Sequence, residues 1–129
     1  MKWRRELLYL EELKIPRYFI PNGFGEPNSI ELHHFSDTSV DGYGQYLYLR
    51  LVNKSNQVHC SFAMEKSRVT PLKNVTVPRL DLTAAVVSTK VSSVLQHELY
   101  YKKVTEVFWT DGQVVLGYIR NDTRCFHVF

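Results

Sequence analysis

The sequence predicts one α/β (α+β) domain built on a mixed β-sheet, and three observations carry this prediction. Residues 30–64 contain short segments of alternating polarity, residues 80–99 have helical periodicity, and an apolar segment of strand length follows them. The predicted order is β-β-β-α-β-α. Because a helix joins the third strand to the fourth, the fourth strand should lie parallel to a neighbour in the same sheet. We expect that neighbour to be the first strand.

Residues 1–28 are predicted to form a connecting segment that precedes the sheet. Trp3, Leu7, Leu10 and Leu13 recur at helical spacing, which indicates a short amphipathic helix over residues 1–14. The prolines and glycines of KIPRYFIPNGFGEP then end it. The sequence therefore divides into a connection helix and linker over residues 1–28 and a folded domain over residues 29–129.

Three antiparallel strands are predicted next. The first is IELHHFSD, and the turn TSVDGYG follows it; QYLYLRLV and QVHCSFAM then alternate in polarity, with a turn at residues 53–56 between them. One face of each alternating strand is expected to be buried. These faces carry Leu47, Leu49 and Leu51 in the second strand and Val58, Cys60, Phe62 and Met64 in the third.

A long amphipathic helix is predicted after the polar connection EKSRVTPLKNVTVP. One face of this helix is expected to be apolar and buried, and the face beside it carries short side chains, which would let the helix lie close to the sheet. The segment TEVFWTD then predicts a buried strand, and GQVVLGYIRND begins a second helix. The core face of the long helix is expected to comprise Leu80, Ala84, Val87, Val91, Val94 and Leu95, and the adjacent face Asp81, Ala85, Ser88 and Ser92.

Composition is typical of one globular domain and excludes few functions. The 129 residues are 44% hydrophobic, and the net charge of +3 is compatible with a polyanionic partner without requiring one. Neither Cys60 nor Cys125 lies in a C-x-x-C pair, which argues against a zinc site or a disulfide framework. The sequence has no signal-peptide or transmembrane pattern, so we expect an intracellular, cytoplasmic protein with no membrane partner.

Three aspartates are the candidate catalytic residues. Asp37 and Asp111 each follow a predicted core strand, and the ends of neighbouring parallel strands are where ligands gather in such sheets. Asp81 lies in the predicted first turn of the long helix, just after a proline, where a negative charge also suits the helix dipole. Taken singly, Asp37 and Asp111 are better explained as ordinary turn or cap residues. Together, three carboxylates without a nearby Cys or His pattern favour a hard cation such as Mg²⁺.

The chain resembles the ribonuclease H domain of BEL/Pao-type LTR retrotransposon polyproteins, with the tether that precedes it. The segments that carry the resemblance are LHHFSDTSVDGYG, SRVTPLKNVTVPRLDLTAAVV and VFWTDGQVVLGYI, in this order, and WRRELLYLEELKIPR is similar to the tether. The resemblance implies a ribonuclease H-like fold and Mg²⁺-dependent cleavage of the RNA strand in RNA:DNA hybrids, with Mn²⁺ as an alternative ion. It also implies a reverse transcriptase domain on the N-terminal side and, for the parent element, a virus-like particle.

The resemblance assigns a role to each of the three acids. Asp37 matches the acid that contacts both metal ions, and Asp111 matches a ligand of the ion that activates water. Asp81 stands where the family usually has glutamate, close to the scissile phosphate, and Gly112 stands where a serine usually follows the third acid. The family's fourth acid lies in a later segment, after a fifth strand, that this sequence does not reach, so we expect the last strand and helix of the fold to be missing. Because aspartate is also one methylene shorter than glutamate, we expect activity to be weakened or lost in this truncated copy.

Other polar and aromatic residues are less specific. Basic residues near the long helix could meet phosphates, although a solvated connection explains them equally well. His33 and His34 should point to opposite faces of a strand, which favours structural roles. The aromatic residues are expected mostly at core positions rather than as stacking platforms. The candidate nucleic-acid-binding residues are Lys66, Arg68, Lys73 and Arg79.

Two other function classes compete with a hybrid nuclease. A non-catalytic nucleic-acid-binding or interaction domain would keep the same fold and bind hybrids without cleaving them. An ATP-dependent sugar kinase or actin-like domain would need glycine-rich phosphate loops, and DGYG at residues 41–44 is the only weak match.

Overall fold

The computed structural model describes residues 7–12, 14, 18–73, 75–99 and 103–121. The element order is the predicted one. Part of the helix predicted for residues 1–14 falls outside the described residues, and the part that is described is a short 3-10 helix. The elements are this 3-10 helix (Leu7–Glu12), β1 (Pro27–Thr38), β2 (Gly42–Asn53), β3 (Val58–Val69), α1 (Val77–Glu98), β4 (Thr105–Trp109) and α2 (Gln113–Ile119).

The four described strands form one mixed sheet in the order β3-β2-β1-β4. β1 pairs antiparallel with β2, β2 pairs antiparallel with β3, and β1 pairs parallel with β4. The prediction that the fourth strand lies parallel to the first is therefore confirmed. The crossover helix α1 packs on β1 and β2 and covers one face of the sheet. The opposite face, which α1 does not cover, is the open face.

The core lies between α1 and the two central strands. Leucines of β1 and β2 are almost completely buried there, together with Val91 of α1 and Phe24 from the segment before β1. The helical face differs from the predicted one, because Val94 is 62% exposed whereas Ser88 and Ser92 are buried. The buried stripe is rotated toward these serines, since their short side chains let the helix lie close to the sheet.

A β-bulge in β3 overturns part of the predicted core. Phe62 pairs with Tyr48, but the next pair joins Met64 to Leu47, so Ala63 is left without a partner. The extra residue reverses which side chains face α1, because side chains alternate along a strand. Before the bulge, Val58, Cys60 and Phe62 pair with open-face residues of β2 and lie exposed there. Beyond it, Met64 packs against the core, the only one of the four predicted residues to do so.

β3 also continues beyond its predicted end at Met64. The strand runs to Val69, so the first part of the predicted polar connection is strand rather than loop. Lys66 and Arg68 share the parity of Met64 and lie opposite Gln45 and Tyr43 on the α1 side of the sheet. The sequence suggested a loop here because these residues are charged, and charged residues are common on an edge strand.

An aromatic row on the open face contradicts the expectation that most aromatic residues are at core positions. Neighbouring strands bring Phe35 between Tyr46, at 5.1 Å between ring centroids, and Trp109, at 6.0 Å, and both pairs are nearly parallel. The Phe35 ring is thus stacked against a neighbouring ring on each side. Tyr48 and Phe62 extend the row with edge-to-face contacts.

Candidate active site

The sheet brings Asp37 and Asp111 to the same end of two neighbouring strands. The last pair of β1 and β4 is Phe35–Trp109, and each aspartate lies two residues beyond it. Parallel pairing makes this coincidence possible, because both strands then run toward the same end of the sheet. Asp37 still pairs with Gly44 of β2, so it lies inside β1 rather than after the strand as predicted. The prediction that these two acids flank one end of the sheet agrees with the observed register.

Asp81 approaches this edge from α1. It is the fifth residue of the helix, which begins at Val77, and the first turn contains no acidic residue. The predicted position in the first turn is therefore wrong, since the helix begins before Pro78 rather than after it. Because the dipole effect fades beyond the first turn, it explains the carboxylate at Asp81 less well than the sequence suggested.

Thr38 connects two of the three acids. Its hydroxyl donates a hydrogen bond to Oδ1 of Asp81, and its backbone N–H donates one to Oδ1 of Asp37 at 2.8 Å. Thr38 has the parity of His34 on β1 and so faces α1, whereas Asp37 has the parity of the open face and is exposed. Sequence reasoning missed Thr38, although a threonine directly after a strand-end aspartate is a readable signal.

Gly112 connects Asp81 to the third acid. A Cβ atom on Gly112 would lie 3.2 Å from Oδ2 of Asp81, so the Asp81 carboxylate reaches the residue that follows Asp111. The Gly112 N–H donates to the hydroxyl of Thr110 at 3.1 Å, which shapes the turn between β4 and α2. Asp81 and Gly112, the two positions at which the resemblance led us to expect glutamate and serine, thus lie close to each other.

The site has oxygen ligands of the kind that a hard cation prefers, but their side chains do not converge on one point. Three carboxylates at one sheet edge fit Mg²⁺ or Mn²⁺ in ligand type. Within the described ranges, however, no three His, Cys, Asp or Glu side chains form a group that could hold a metal ion. The backbone brings the acids to one end, while the side chain of Asp37 lies on the other side of β1 from Thr38 and Asp81.

The four candidate phosphate-binding residues do not form one cluster. Lys66 and Arg68 line a groove between β3 and α1, whereas Lys73 lines a separate depression of about 390 Å³ beside the turn at Val40. Arg79 is exposed in the first turn of α1. Lys90 of α1 also lines the groove, and sequence reasoning missed it because it lies far along the helix.

The two histidines have different surroundings, as predicted from their opposite parity. His34 is buried under α1, with its Nε2 3.4 Å from Oε1 of Glu106 and its ring stacked on Phe108. Burial lowers the pKa of His34, and the nearby carboxylate of Glu106 opposes this effect only in part. His33 lies on the open face, where its Nδ1 accepts a hydrogen bond from Trp109.

The glycines of DGYG have a packing role. A Cβ on Gly42 would lie 3.0 Å from the carbonyl oxygen of Arg68, and one on Gly44 would lie 3.1 Å from Cβ of Ser67. Both glycines are strand residues of β2 that allow close approach of β3. This gives a structural reason for the glycines that does not involve a phosphate loop.

In the part of the chain that the structure describes, no helix is long and apolar enough to cross a membrane. Comparison with curated proteins and with solved structures gives no match. A family model described as "Pao retrotransposon-like RNaseH-like domain" matches residues 1–112, a range that contains all three aspartates and ends at Gly112. Because this range covers most of the 129 residues, the four-stranded mixed sheet is that of a ribonuclease H-like fold, and the chain belongs to the Pao retrotransposon-like RNaseH-like domain family.

Proposed function

We propose that this domain cleaves the RNA strand of RNA:DNA hybrids, with Asp37, Asp81 and Asp111 at the cleavage site. The observation that supports this function best is that the three acids lie within the family-matched range and are carried to one sheet edge by β1, α1 and the end of β4. Metal-assisted hydrolysis of a nucleic acid requires carboxylates that hold divalent cations beside the phosphodiester.

The proposed ligands bind Mg²⁺, with Mn²⁺ as the alternative. When bound, such an ion supplies positive charge for activating water and stabilising the leaving oxygen. The residues of this chain have their own tasks. Thr38 orients the Asp81 carboxylate through its hydroxyl and the Asp37 carboxylate through its N–H, and Gly112 leaves room beside Asp81.

The proposed partners follow from family membership. The substrate is an RNA:DNA hybrid, contacted through phosphates by basic residues around the groove and the start of α1. A reverse transcriptase domain would precede this domain in the polyprotein of the parent element, and we expect both to act in the cytoplasm, in a virus-like particle. The proposed phosphate contacts are Lys66, Arg68, Lys73 and Arg79.

Replacing Asp37 tests the cleavage function. We expect the wild-type protein to cleave the labelled RNA strand of a hybrid in Mg²⁺ or Mn²⁺ but not in EDTA, and Asp37→Asn to lower the rate by at least about 100-fold because a ligand charge is lost. Asp41→Asn is the matched control, since this exposed aspartate lies in the following turn. A wild-type rate in Asp37→Asn would contradict the proposed site.

A non-catalytic hybrid-binding domain is the second proposal. It is favoured by the Asp81 carboxylate, which is already hydrogen-bonded to Thr38 and is shorter than the glutamate usual in the family. This proposal expects salt-dependent hybrid binding without cleavage in either ion, measured by fluorescence anisotropy and gel electrophoresis on the same sample. Cleavage that Asp37→Asn abolishes would refute it.

A further inference from the structure

A groove of about 460 Å³ lies between the helix α1 and the strand β3, away from the open face. Its floor includes Met64 and Val91, and its rim carries three exposed basic side chains, Lys66, Arg68 and Lys90. Among the described residues that line the groove, none is acidic. The groove is therefore positively charged on an apolar base.

The three cations have no anionic partner within the described part of the chain. The ion pairs found there use other residues, such as Arg50 with Glu31 and Lys54 with Glu26. The bulge at Ala63 is the reason that two of the cations face α1, because it moves Lys66 and Arg68 to the same side of the sheet as Met64. The apolar floor supports the aliphatic stems while the charged ends remain in water.

The groove adjoins a second depression that includes one of the three candidate acids. Tyr43 and Arg68 line the groove and also line a depression of about 230 Å³ whose wall includes Asp37. A ligand that extends over both cavities would meet the carboxylate edge at one end and the cationic rim at the other. This is the charge distribution expected along a polyanionic chain that is cleaved at one point and held at another.

We propose that this groove binds backbone phosphates of the nucleic-acid substrate, with Lys66 and Lys90 on opposite walls and Arg68 at the junction with the active site. The inference rests on the proposed hybrid substrate and adds Lys90 and a defined path to it. Continuity with the Asp37 depression favours a nucleic acid over an acidic protein segment, which would need no route to the carboxylates.

The test is the salt dependence of hybrid binding to the full chain, measured by fluorescence anisotropy in EDTA so that no cleavage occurs. Each lost Lys–phosphate contact lowers the slope of log affinity against log salt concentration by about 1. We therefore expect Lys66→Gln/Lys90→Gln to weaken binding at low salt and to reduce the slope by about 2. The matched control is Lys54→Gln/Lys103→Gln, which removes the same charge from exposed lysines outside the groove.

The outcomes separate this inference from the proposed function. A wild-type slope in the groove variant, or an equal reduction in the control variant, would overturn the groove as a substrate path and leave cleavage untouched. Groove-dependent binding without cleavage would support the groove and contradict the nuclease function. Absence of hybrid binding by the wild-type chain would overturn both, and binding of an acidic peptide in its place would assign the groove to a protein partner.

Discussion

Gly112 lies where the segment after β4, which carries Asp111, approaches Asp81 of α1. It is the N-cap of α2, has an extended backbone conformation that any residue can adopt, and makes no side-chain cap. A Cβ there would be close to three groups: Oδ2 of Asp81 and Cγ2 of Val115, each at 3.2 Å, and Oγ1 of Thr110 at 3.3 Å. A serine at this position would thus offer a helix cap and crowd Asp81.

We predict that Gly112→Ser is more stable than Gly112→Ala by about 1 kcal/mol in free energy of unfolding. Both variants introduce the same Cβ and the same crowding, but only serine can cap the α2 N–H groups. Urea denaturation followed by circular dichroism measures the difference. Equal stability of the two variants would show that residue 112 does not cap α2.

At the scale of the element, α1 carries two buried serines in different situations. The hydroxyl of Ser92 donates a hydrogen bond of 2.6 Å to Glu106 of β4 and so fastens the helix to the sheet. The hydroxyl of Ser88 is buried without a hydrogen-bond partner among the described residues. A buried hydroxyl that lacks a partner destabilises the fold, whereas one bonded to a carboxylate stabilises it.

We predict opposite effects for the two alanine substitutions. Ser88→Ala should raise the free energy of unfolding by about 1 kcal/mol, because it removes an unpaired polar group and improves helix propensity. Ser92→Ala should lower it by about 1 to 2 kcal/mol, because Glu106 loses its donor. Chemical denaturation of each variant gives both values. A larger loss in Ser88→Ala than in Ser92→Ala would contradict the assignment.

Sequence patterns predicted the elements well and their faces less well. Periodicity sufficed for the order of strands and helices, and the crossover rule gave the parallel pairing of β1 with β4. The face of β3 could not be predicted, because the bulge at Ala63 has no glycine or proline to mark it. For α1, valine and serine stripes lie side by side, and only the distance to the sheet decides that Ser88 is buried and Val94 is not.

The candidate site was predictable in position but not in detail. Asp37 and Asp111 could be placed from strand ends, and Asp81 from the start of the helix that packs on the sheet; the resemblance added a role for each. The contacts of Thr38 and Gly112 with Asp81 depend on how α1 sits over the end of the sheet. Such contacts join residues that are more than thirty positions apart in sequence, so no local pattern contains them.

At the scale of the whole molecule, two groups make stability depend on pH in different ranges. The pKa of Glu31 is lowered from its ordinary value of 4.5 by hydrogen bonds to His33 and Arg50. The contribution of Glu31 to the free energy of unfolding is therefore lost as the pH falls below about 4.5. The pKa of His34 is lowered by burial from its ordinary value of 6.5. As the pH falls below 6.5, the unfolded chain therefore binds this proton first, and the free energy of unfolding decreases.

We predict that wild-type stability is greatest above about pH 6.5 and falls toward pH 5, and that His34→Leu flattens this decline. His97→Gln is the control, because His97 lies exposed at the end of α1 and should leave the decline unchanged. Thermal and urea unfolding at a series of pH values provide the measurement. A decline of the same steepness in His34→Leu would mean that another group causes it.

The bulge at Ala63 has a consequence for how this domain tolerates insertions and deletions. The side of the sheet on which Lys66 and Arg68 lie depends on the number of residues in β3, not on which residue occupies position 63. Substitution scanning across position 63 would leave both cations in place. Deletion of a single residue there would move Lys66 and Arg68 to the open face and bring Glu65 to the α1 side. The charge of the groove therefore depends on the number of residues in β3.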